Sequence, residues 1–128
     1  MKRIFLALSL TVAIAHAETP KYAPNHFVDG NKLLRWCEES PKTLEGISCS
    51  VYLQGLSDAL EEARAELGVA SCTPAGTETS QLRDIVVRYL KDHAQWRQWS
   101  AATLASAAIA IAWCPDKAKD VPQINDQR

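Results

Sequence analysis

The feature that most constrains the fold of this chain is its set of four cysteines, Cys37, Cys49, Cys72 and Cys114. An even number of cysteines in a small exported protein predicts a disulfide framework. Zinc binding is the alternative use, but no two of these cysteines form a C-x2-C pair, and only His26 and His93 follow the first 17 residues. The spacing therefore favours two disulfides over a metal site, and we expect no cofactor.

Export is predicted by the first 17 residues, which have the three parts of a secretory signal peptide. A basic start, MKR, precedes an apolar stretch from Ile4 to Ala15, and Ala15-His16-Ala17 forms a small-x-small cleavage signal. The stretch is too short for a membrane anchor, which needs about 20 apolar residues. We expect cleavage after Ala17 and a periplasmic mature protein.

The charge of the mature chain excludes two classes of partner. Removal of Lys2 and Arg3 with the signal peptide leaves 12 basic against 15 acidic residues, a formal net charge of −3. Nucleic acid and anionic membrane surfaces both require a basic patch, so neither is an expected partner. With 128 residues in all, the chain is long enough for one domain.

Helical periodicity without strand alternation predicts an all-α fold over residues 27–115, between a lead-in (18–26) and a flexible polar tail (116–128). In the first helix, Asp29 is the expected N-cap, and Val28 should pack on Leu33. Ser40-Pro41 predicts the start of a long second helix, which Gly68 should end in a left-handed conformation.

The second helix carries two apolar faces. The larger predicted core face comprises Cys49, Tyr52, Leu53, Leu56, Leu60, Ala63 and Leu67. A smaller stripe comprises Ile47, Val51, Gly55 and Asp58. Glycine in a helix interior costs up to about 1 kcal/mol relative to alanine, so Gly55 suggests close approach by another backbone. We therefore expect the first half of this helix to be covered on two sides.

Two further helices complete the predicted bundle. The third, capped by Thr79 or Ser80, has an apolar series of Leu82, Ile85, Val86, Tyr89, Leu90 and His93. The fourth is predicted from Trp96 to Cys114 and is rich in alanine. Its uncharged run is short and interrupted by Ser100, Thr103 and Ser106, so we expect no membrane span. Apolar residues on several sides place it either at the centre of the bundle or in a homodimer interface.

The predicted fold is a small four-helix up-down bundle, and this topology determines which cysteines can pair. Short connections make neighbouring helices antiparallel, so Cys37 and Cys49 meet at one end, and Cys72 and Cys114 at the other. Cys49 and Cys72 are separated by roughly 25–35 Å of helix, whereas a disulfide requires Cα atoms within about 7 Å. The predicted bridges are therefore Cys37–Cys49 and Cys72–Cys114.

The sequence offers no catalytic constellation, so we expect a binding protein rather than an enzyme. His93 lies on an apolar face, and the cysteines are committed to bridges. Trp96 and Trp99 flank Arg97 near the start of the fourth helix. One interpretation is that the tryptophans pack into the core. The other is a partner-binding anchor, because Trp and Arg dominate binding hot spots.

The order of these motifs resembles the Rap/Tai family of immunity proteins. The resemblance rests on FVDGNKLLRWC, CSVYLQGLSDA, CTP and LRDIVVRYLKDH, followed by a last cysteine, over residues 27–115. Its core motif contains Cys49, Tyr52, Gly55 and Asp58, which are scaffold residues rather than a binding site. The resemblance implies a small all-α periplasmic protein, often homodimeric.

The resemblance also implies a function. Members with known roles bind and inhibit peptidoglycan-cleaving amidase effectors delivered by type VI secretion systems, and so protect the producing cell. The expected partner is thus a cell-wall amidase effector. The alternative from a different class is a periplasmic chaperone or envelope-stress protein built on a similar helical scaffold.

Overall fold

The computed structural model describes residues 26–114. This range forms four α-helices: α1 (Gly30–Glu38), α2 (Leu44–Glu66), α3 (Thr79–Asp92) and α4 (Ala101–Trp113). A 3-10 turn (Ala94–Trp96) lies between α3 and α4, and the described range contains no strand beyond an isolated bridge between Asp29 and Ser100. The all-α fold is confirmed. The predicted signal peptide (1–17), residues 18–25 of the lead-in and the tail (116–128) lie outside the described residues.

One hydrophobic core joins the four helices, because each helix packs against the other three. Every helix contributes at least one side chain with almost no exposed surface: Leu33, Leu53, Val86, Leu90 and Leu104. Val28 and Leu33 belong to the same buried cluster, in agreement with the predicted packing at the start of α1.

Both predicted disulfides are present. Cys37 and Cys49 join the end of α1 to the first half of α2, with Cα atoms 5.0 Å apart. Cys72 and Cys114 join the loop after α2 to the end of α4, with Cα atoms 5.3 Å apart. In the chain-entropy account, closing loops of these lengths stabilises the fold by about 3 and about 4 kcal/mol. The bridges thus fix both ends of the bundle.

The start of α2 differs from the prediction. Thr43, not Ser40, is the N-cap, and its hydroxyl accepts a hydrogen bond from the Gly46 N–H at 3.2 Å. Ser40 instead opens a turn, in which its carbonyl accepts hydrogen bonds from the Thr43 N–H and hydroxyl. Gly46 packs so closely on Ser40 that a Cβ at position 46 would collide with the Ser40 carbonyl. The close backbone approach predicted at Gly55 therefore occurs at Gly46.

The remaining helix boundaries follow local hydrogen bonds. Asp29 caps α1 as predicted, accepting from the Lys32 N–H at 2.7 Å. Gly68 adopts a φ of 65° after α2, which confirms the left-handed exit. The cap of α3 is Glu78 rather than Thr79 or Ser80, and its backbone N–H donates to the Gln81 side chain at 2.9 Å.

The fourth helix is shorter than predicted and begins at Ala101 instead of Trp96. Its alanine surface is covered by the same chain, since Ala101, Ala105, Ala107, Ala108 and Ala110 are all buried. The choice between bundle centre and dimer interface is thus settled for these residues in favour of the bundle. Small side chains at these positions let the other helices pack closely against α4.

The core face predicted for α2 agrees with the structure only as far as Leu60. Cys49 and Leu53 are buried, whereas Ala63 is exposed and Leu67 is 78% exposed. The physical reason is length, because 23 residues of α2 span about 35 Å and the 14 residues of α3 about 21 Å. The last turns of α2 therefore extend beyond the bundle.

Candidate partner-binding surfaces

The three predicted partner-binding residues lie in the connection between α3 and α4. Trp96 ends the 3-10 turn, and Arg97 and Trp99 follow it before α4 begins. The prediction placed them on the first turn of the fourth helix, which is wrong. The backbone leaves the helical path here because its hydrogen bonds go to the start of α1.

Three backbone hydrogen bonds fix this connection. The Gly30 N–H donates to the Trp99 carbonyl, and the Asn31 N–H donates to the Arg97 carbonyl, both at 3.0 Å. The Ala101 N–H donates to the Val28 carbonyl at 2.9 Å. The first two bonds satisfy free N–H groups at the start of α1, and the third satisfies the first N–H group of α4. A Cβ at Gly30 would meet the backbone of Arg97 at 2.9–3.0 Å, so glycine permits the contact.

The two tryptophans have different surroundings. Trp96 is half-buried and stacks on the His93 ring with centroids 4.6 Å apart. Trp99 is 37% exposed. The Nε of Arg97 is buried without a hydrogen-bond acceptor in the described range. Trp96 is therefore a packing residue, while Trp99 offers surface to a partner. Partner binding by these residues stays a prediction.

His93 is held in a structural role. Its Nδ1 lies 2.8 Å from the Tyr89 carbonyl, and since a carbonyl only accepts, Nδ1 carries the proton and donates. The ring also packs on Tyr89, with centroids 4.1 Å apart, and burial raises the pKa of the Tyr89 hydroxyl. Beside this stack, a shallow groove of about 240 Å³ runs between α3 and α4 and includes the exposed Ile111.

An exposed apolar face on α2 is the second candidate surface. Leu44, Ile47 and Val51 are 76%, 48% and 63% exposed. Gly55 continues this line, and a Cβ built there has nothing within 4 Å. The prediction that the first half of α2 is covered on two sides is thus wrong within one chain. These four residues are separated by three or four positions along α2, so they lie on one side of the helix. We call this set the α2 face.

The residues of the family-like motif serve different purposes. Tyr52 is half-buried, meets the Trp36 ring edge-on at 6.5 Å between centroids, and has its pKa raised by burial. Gly55 lies on the α2 face. Asp58 is exposed and lines a cleft of about 260 Å³ between α2 and the loop before α3. Across this cleft, the Gln54 amide donates to the Thr79 hydroxyl at 2.7 Å.

Glu61 anchors the loop before α3, a role that the sequence gave no sign of. Its carboxylate accepts from the Thr73 N–H at 3.1 Å and from the Thr73 hydroxyl at 2.8 Å. Burial acts to raise the pKa of this carboxyl, but hydrogen bonds from Ser71, Thr73 and Cys72 outweigh it and lower the pKa below 4.5. The loop is therefore fixed at two adjacent residues, by the Cys72 disulfide and by Glu61.

The described residues contain neither a metal-ligand cluster nor a membrane-spanning helix. Residues 26–114 contain no group of three or more His, Cys, Asp or Glu side chains placed to hold a metal ion. Among the same residues, no helix has both the length and the apolar character needed to cross a bilayer.

Comparison with known proteins identifies a protein family. The family model described as Rap1a immunity proteins matches residues 29–115, which is well over half of the chain. No curated protein and no solved structure matches the chain significantly. The matched range begins at the N-cap of α1 and extends one residue past Cys114. It therefore contains all four helices and both disulfides.

Proposed function

The chain belongs to the Rap1a immunity protein family, and on that premise we propose that it binds and inhibits a secreted peptidoglycan amidase effector. The family match over residues 29–115 carries the proposal, since an immunity protein acts by binding a protein effector. Inhibition occurs by occlusion of the active-site cleft of the effector. The producing cell and its siblings are thereby protected from an effector delivered by type VI secretion.

The periplasm is the compartment proposed for this binding. The signal peptide predicted for residues 1–17 supports export. Two disulfides that use all four cysteines also support it, because such bridges persist in oxidising compartments. Peptidoglycan, the substrate of the proposed target, lies in the same compartment.

The connection between α3 and α4 is the proposed contact with the effector. Trp99 is exposed there, Arg97 is adjacent, and the backbone of both is hydrogen-bonded to α1. A contact that is already ordered loses little conformational entropy on binding, so more of the contact energy appears as affinity. Trp and Arg are also the residue types most enriched among binding hot spots.

Co-expression with an effector-like gene from the genomic neighbourhood tests the proposal. We expect this chain, with its signal peptide, to prevent lysis by a periplasm-directed effector. Purified proteins should bind one protomer to one effector with a dissociation constant on the order of nanomolar. Peptidoglycan cleavage should then stop at stoichiometric inhibitor. The proposal would be contradicted if this chain did not reduce peptidoglycan cleavage by any of the effectors encoded in its genomic neighbourhood.

A second copy of the chain is also part of the proposal, because the resemblance to the Rap/Tai family implies a homodimer. The buried alanines of α4 do not provide its interface. Another surface must therefore carry it.

A further inference from the structure

The cleft of about 260 Å³ between α2 and the loop before α3 contains polar groups that the fold does not use. One wall is formed by Gln54, Ser57 and Asp58. Ser57 and Asp58 follow Gln54 by three and four positions, so the three residues lie on one side of α2. The opposite wall is formed by loop residues between Thr73 and Thr79.

Ser57 is the most buried polar group in this cleft. It is 9% exposed, yet its hydroxyl forms no hydrogen bond within residues 26–114. Two other serines of the same helix, Ser48 and Ser50, donate to the carbonyl four residues earlier at 2.8 and 3.0 Å. A hydroxyl that is withdrawn from water without a partner destabilises a fold. The Ser57 hydroxyl is therefore available to a group from outside the fold.

Two further acceptors without donors line the cleft. The Gln54 amide nitrogen donates to the Thr79 hydroxyl at 2.7 Å, and the amide oxygen has no donor within residues 26–114. The Asp58 carboxylate has neither a hydrogen bond nor an ion pair in the same range. Glu78 adds a second carboxylate, and no Lys or Arg is among the described residues that line the cleft. The cleft is thus acidic and rich in acceptors.

The two walls are held in position by hydrogen bonds. The bond from Gln54 to Thr79 joins α2 to the start of α3 across the cleft. At the other end of the loop, the Thr73 N–H and hydroxyl both donate to the Glu61 carboxylate on α2. A site that is ordered before binding loses little conformational entropy when a ligand enters.

These groups suit a cation that donates several hydrogen bonds. We propose that the cleft binds a primary ammonium group, supplied either by a lysine side chain of a partner protein or by a free amine. An ammonium group has three N–H donors and no acceptor, which matches the Gln54 oxygen, the Ser57 hydroxyl and the Asp58 carboxylate. Since a water molecule occupies about 30 Å³, the cleft also has room for the attached methylene groups.

Other cations fit this cleft less well. Calcium takes roughly six to eight oxygen ligands, whereas residues 26–114 contain no group of three or more His, Cys, Asp or Glu side chains placed to hold a metal ion. A guanidinium group is a planar fork that pairs with both oxygens of one carboxylate. Acceptors from a hydroxyl, an amide and a carboxylate instead favour the compact ammonium group. The site shares no residue with the connection between α3 and α4, so the inference goes beyond the proposed function.

Titration of the full mature chain with n-butylammonium chloride, followed by the NMR shifts of the backbone amides, tests the site without a protein partner. We expect saturable shifts at Gln54, Ser57, Asp58 and residues 73–79, with a dissociation constant on the order of millimolar. Butyltrimethylammonium has the same charge without N–H donors and should bind at least about tenfold more weakly. Equal binding of the two ammonium ions, or tighter binding of calcium chloride, would overturn the inference.

Substitutions in the cleft identify the acceptors. Asp58→Asn and Ser57→Ala should each raise the dissociation constant of butylammonium by about tenfold or more. Glu62→Gln removes an exposed carboxylate of α2 that does not line the cleft, and it should have little effect. Ser57→Ala should not lower the urea midpoint, because the hydroxyl has no hydrogen bond within the described fold to lose. A lowered midpoint would assign the hydroxyl to the fold and count against the site.

The amidase effector distinguishes the two sources of the ammonium group. If Asp58→Asn weakens effector binding by about tenfold and Glu62→Gln does not, a lysine of the effector occupies the cleft. If butylammonium binds and effector affinity is unchanged, the source is a free amine. A titration without saturable shifts, together with effector affinity that does not depend on Asp58, would overturn the inference. Butylammonium binding by a chain that binds no amidase would leave the site standing and remove the proposed function.

Discussion

The carboxylate of Glu61 on α2 accepts two hydrogen bonds from Thr73, one from its backbone N–H at 3.1 Å and one from its hydroxyl at 2.8 Å. These bonds stabilise the charged carboxylate, and the pKa of Glu61 is accordingly lower than 4.5. Because Cys72 is bonded to Cys114, this contact links the extended end of α2 to the end of α4.

Glu61→Gln should change how stability depends on pH. A carboxyl with a lowered pKa in the folded state contributes stability above its unfolded pKa and loses it as the pH falls through the folded pKa. The wild type should therefore lose free energy of unfolding more steeply below pH 4.5 than the variant. At pH 7 the variant should be less stable by about 0.5–1 kcal/mol. Urea unfolding between about pH 2 and about pH 7 measures both effects. Glu62→Gln, at the exposed neighbouring residue, is the control.

Gly46→Ala and Gly55→Ala form a matched pair of substitutions on α2. A Cβ at position 46 would collide with the Ser40 carbonyl, so Gly46→Ala should destabilise by about 1–3 kcal/mol. Gly55 has open space, and Gly55→Ala should stabilise by up to about 1 kcal/mol. Denaturant unfolding gives both free energies. Equal effects of the two substitutions would contradict the contact at Gly46.

Trp96→Ala and Trp99→Ala should separate stability from binding. Trp96 stacks on His93, so its removal should lower the free energy of unfolding by about 1–3 kcal/mol. Trp99 is more exposed, and its removal should weaken effector binding by tenfold or more, which corresponds to about 1.4 kcal/mol, with less effect on stability. Calorimetric titration and urea unfolding of both variants decide this. Unchanged affinity of Trp99→Ala would exclude it as the anchor.

The two disulfides should differ in their accessibility to reductant. Cys37 and Cys49 are both buried almost completely, whereas Cys72 is half-buried in the loop after α2. Limited treatment with a thiol reductant should therefore reduce Cys72–Cys114 first, since exchange requires access to a sulfur atom. Alkylation followed by mass spectrometry identifies the released cysteines. Earlier release of Cys37 and Cys49 would contradict the order of burial.

Local patterns in the sequence were sufficient for much of the fold. Asp29 and Gly68 were predicted correctly because a cap and a left-handed exit depend on residues a few positions apart. The apolar series of α3 was correct because helical periodicity reports the buried side of a helix. The disulfide pairing followed from helix order alone, since only two pairs of cysteines come to the same ends.

The errors in the sequence interpretation arose at contacts between distant segments. Ser40 and Thr43 are both good capping residues, and the packing of Gly46 on Ser40 puts the start of the helix at Thr43. The fourth helix was predicted too long because the Arg97 and Trp99 carbonyls accept hydrogen bonds from α1, which competes with helix formation. The anchoring role of Glu61 has no local sequence pattern, since its partner Thr73 lies 12 residues away in a loop.

By itself, the sequence determined the all-α class, the order of the helices and the pairing of Cys37 with Cys49 and of Cys72 with Cys114, because periodicity and chain order carry that information. Only the tertiary structure decided which apolar stripes are covered. Periodicity marks Leu53 and Val51 alike as positions on apolar faces, but neighbouring helices bury the first and leave the second exposed. Burial depends on packing between segments that are distant in sequence, so the local pattern of one helix does not reveal which of its apolar faces is buried.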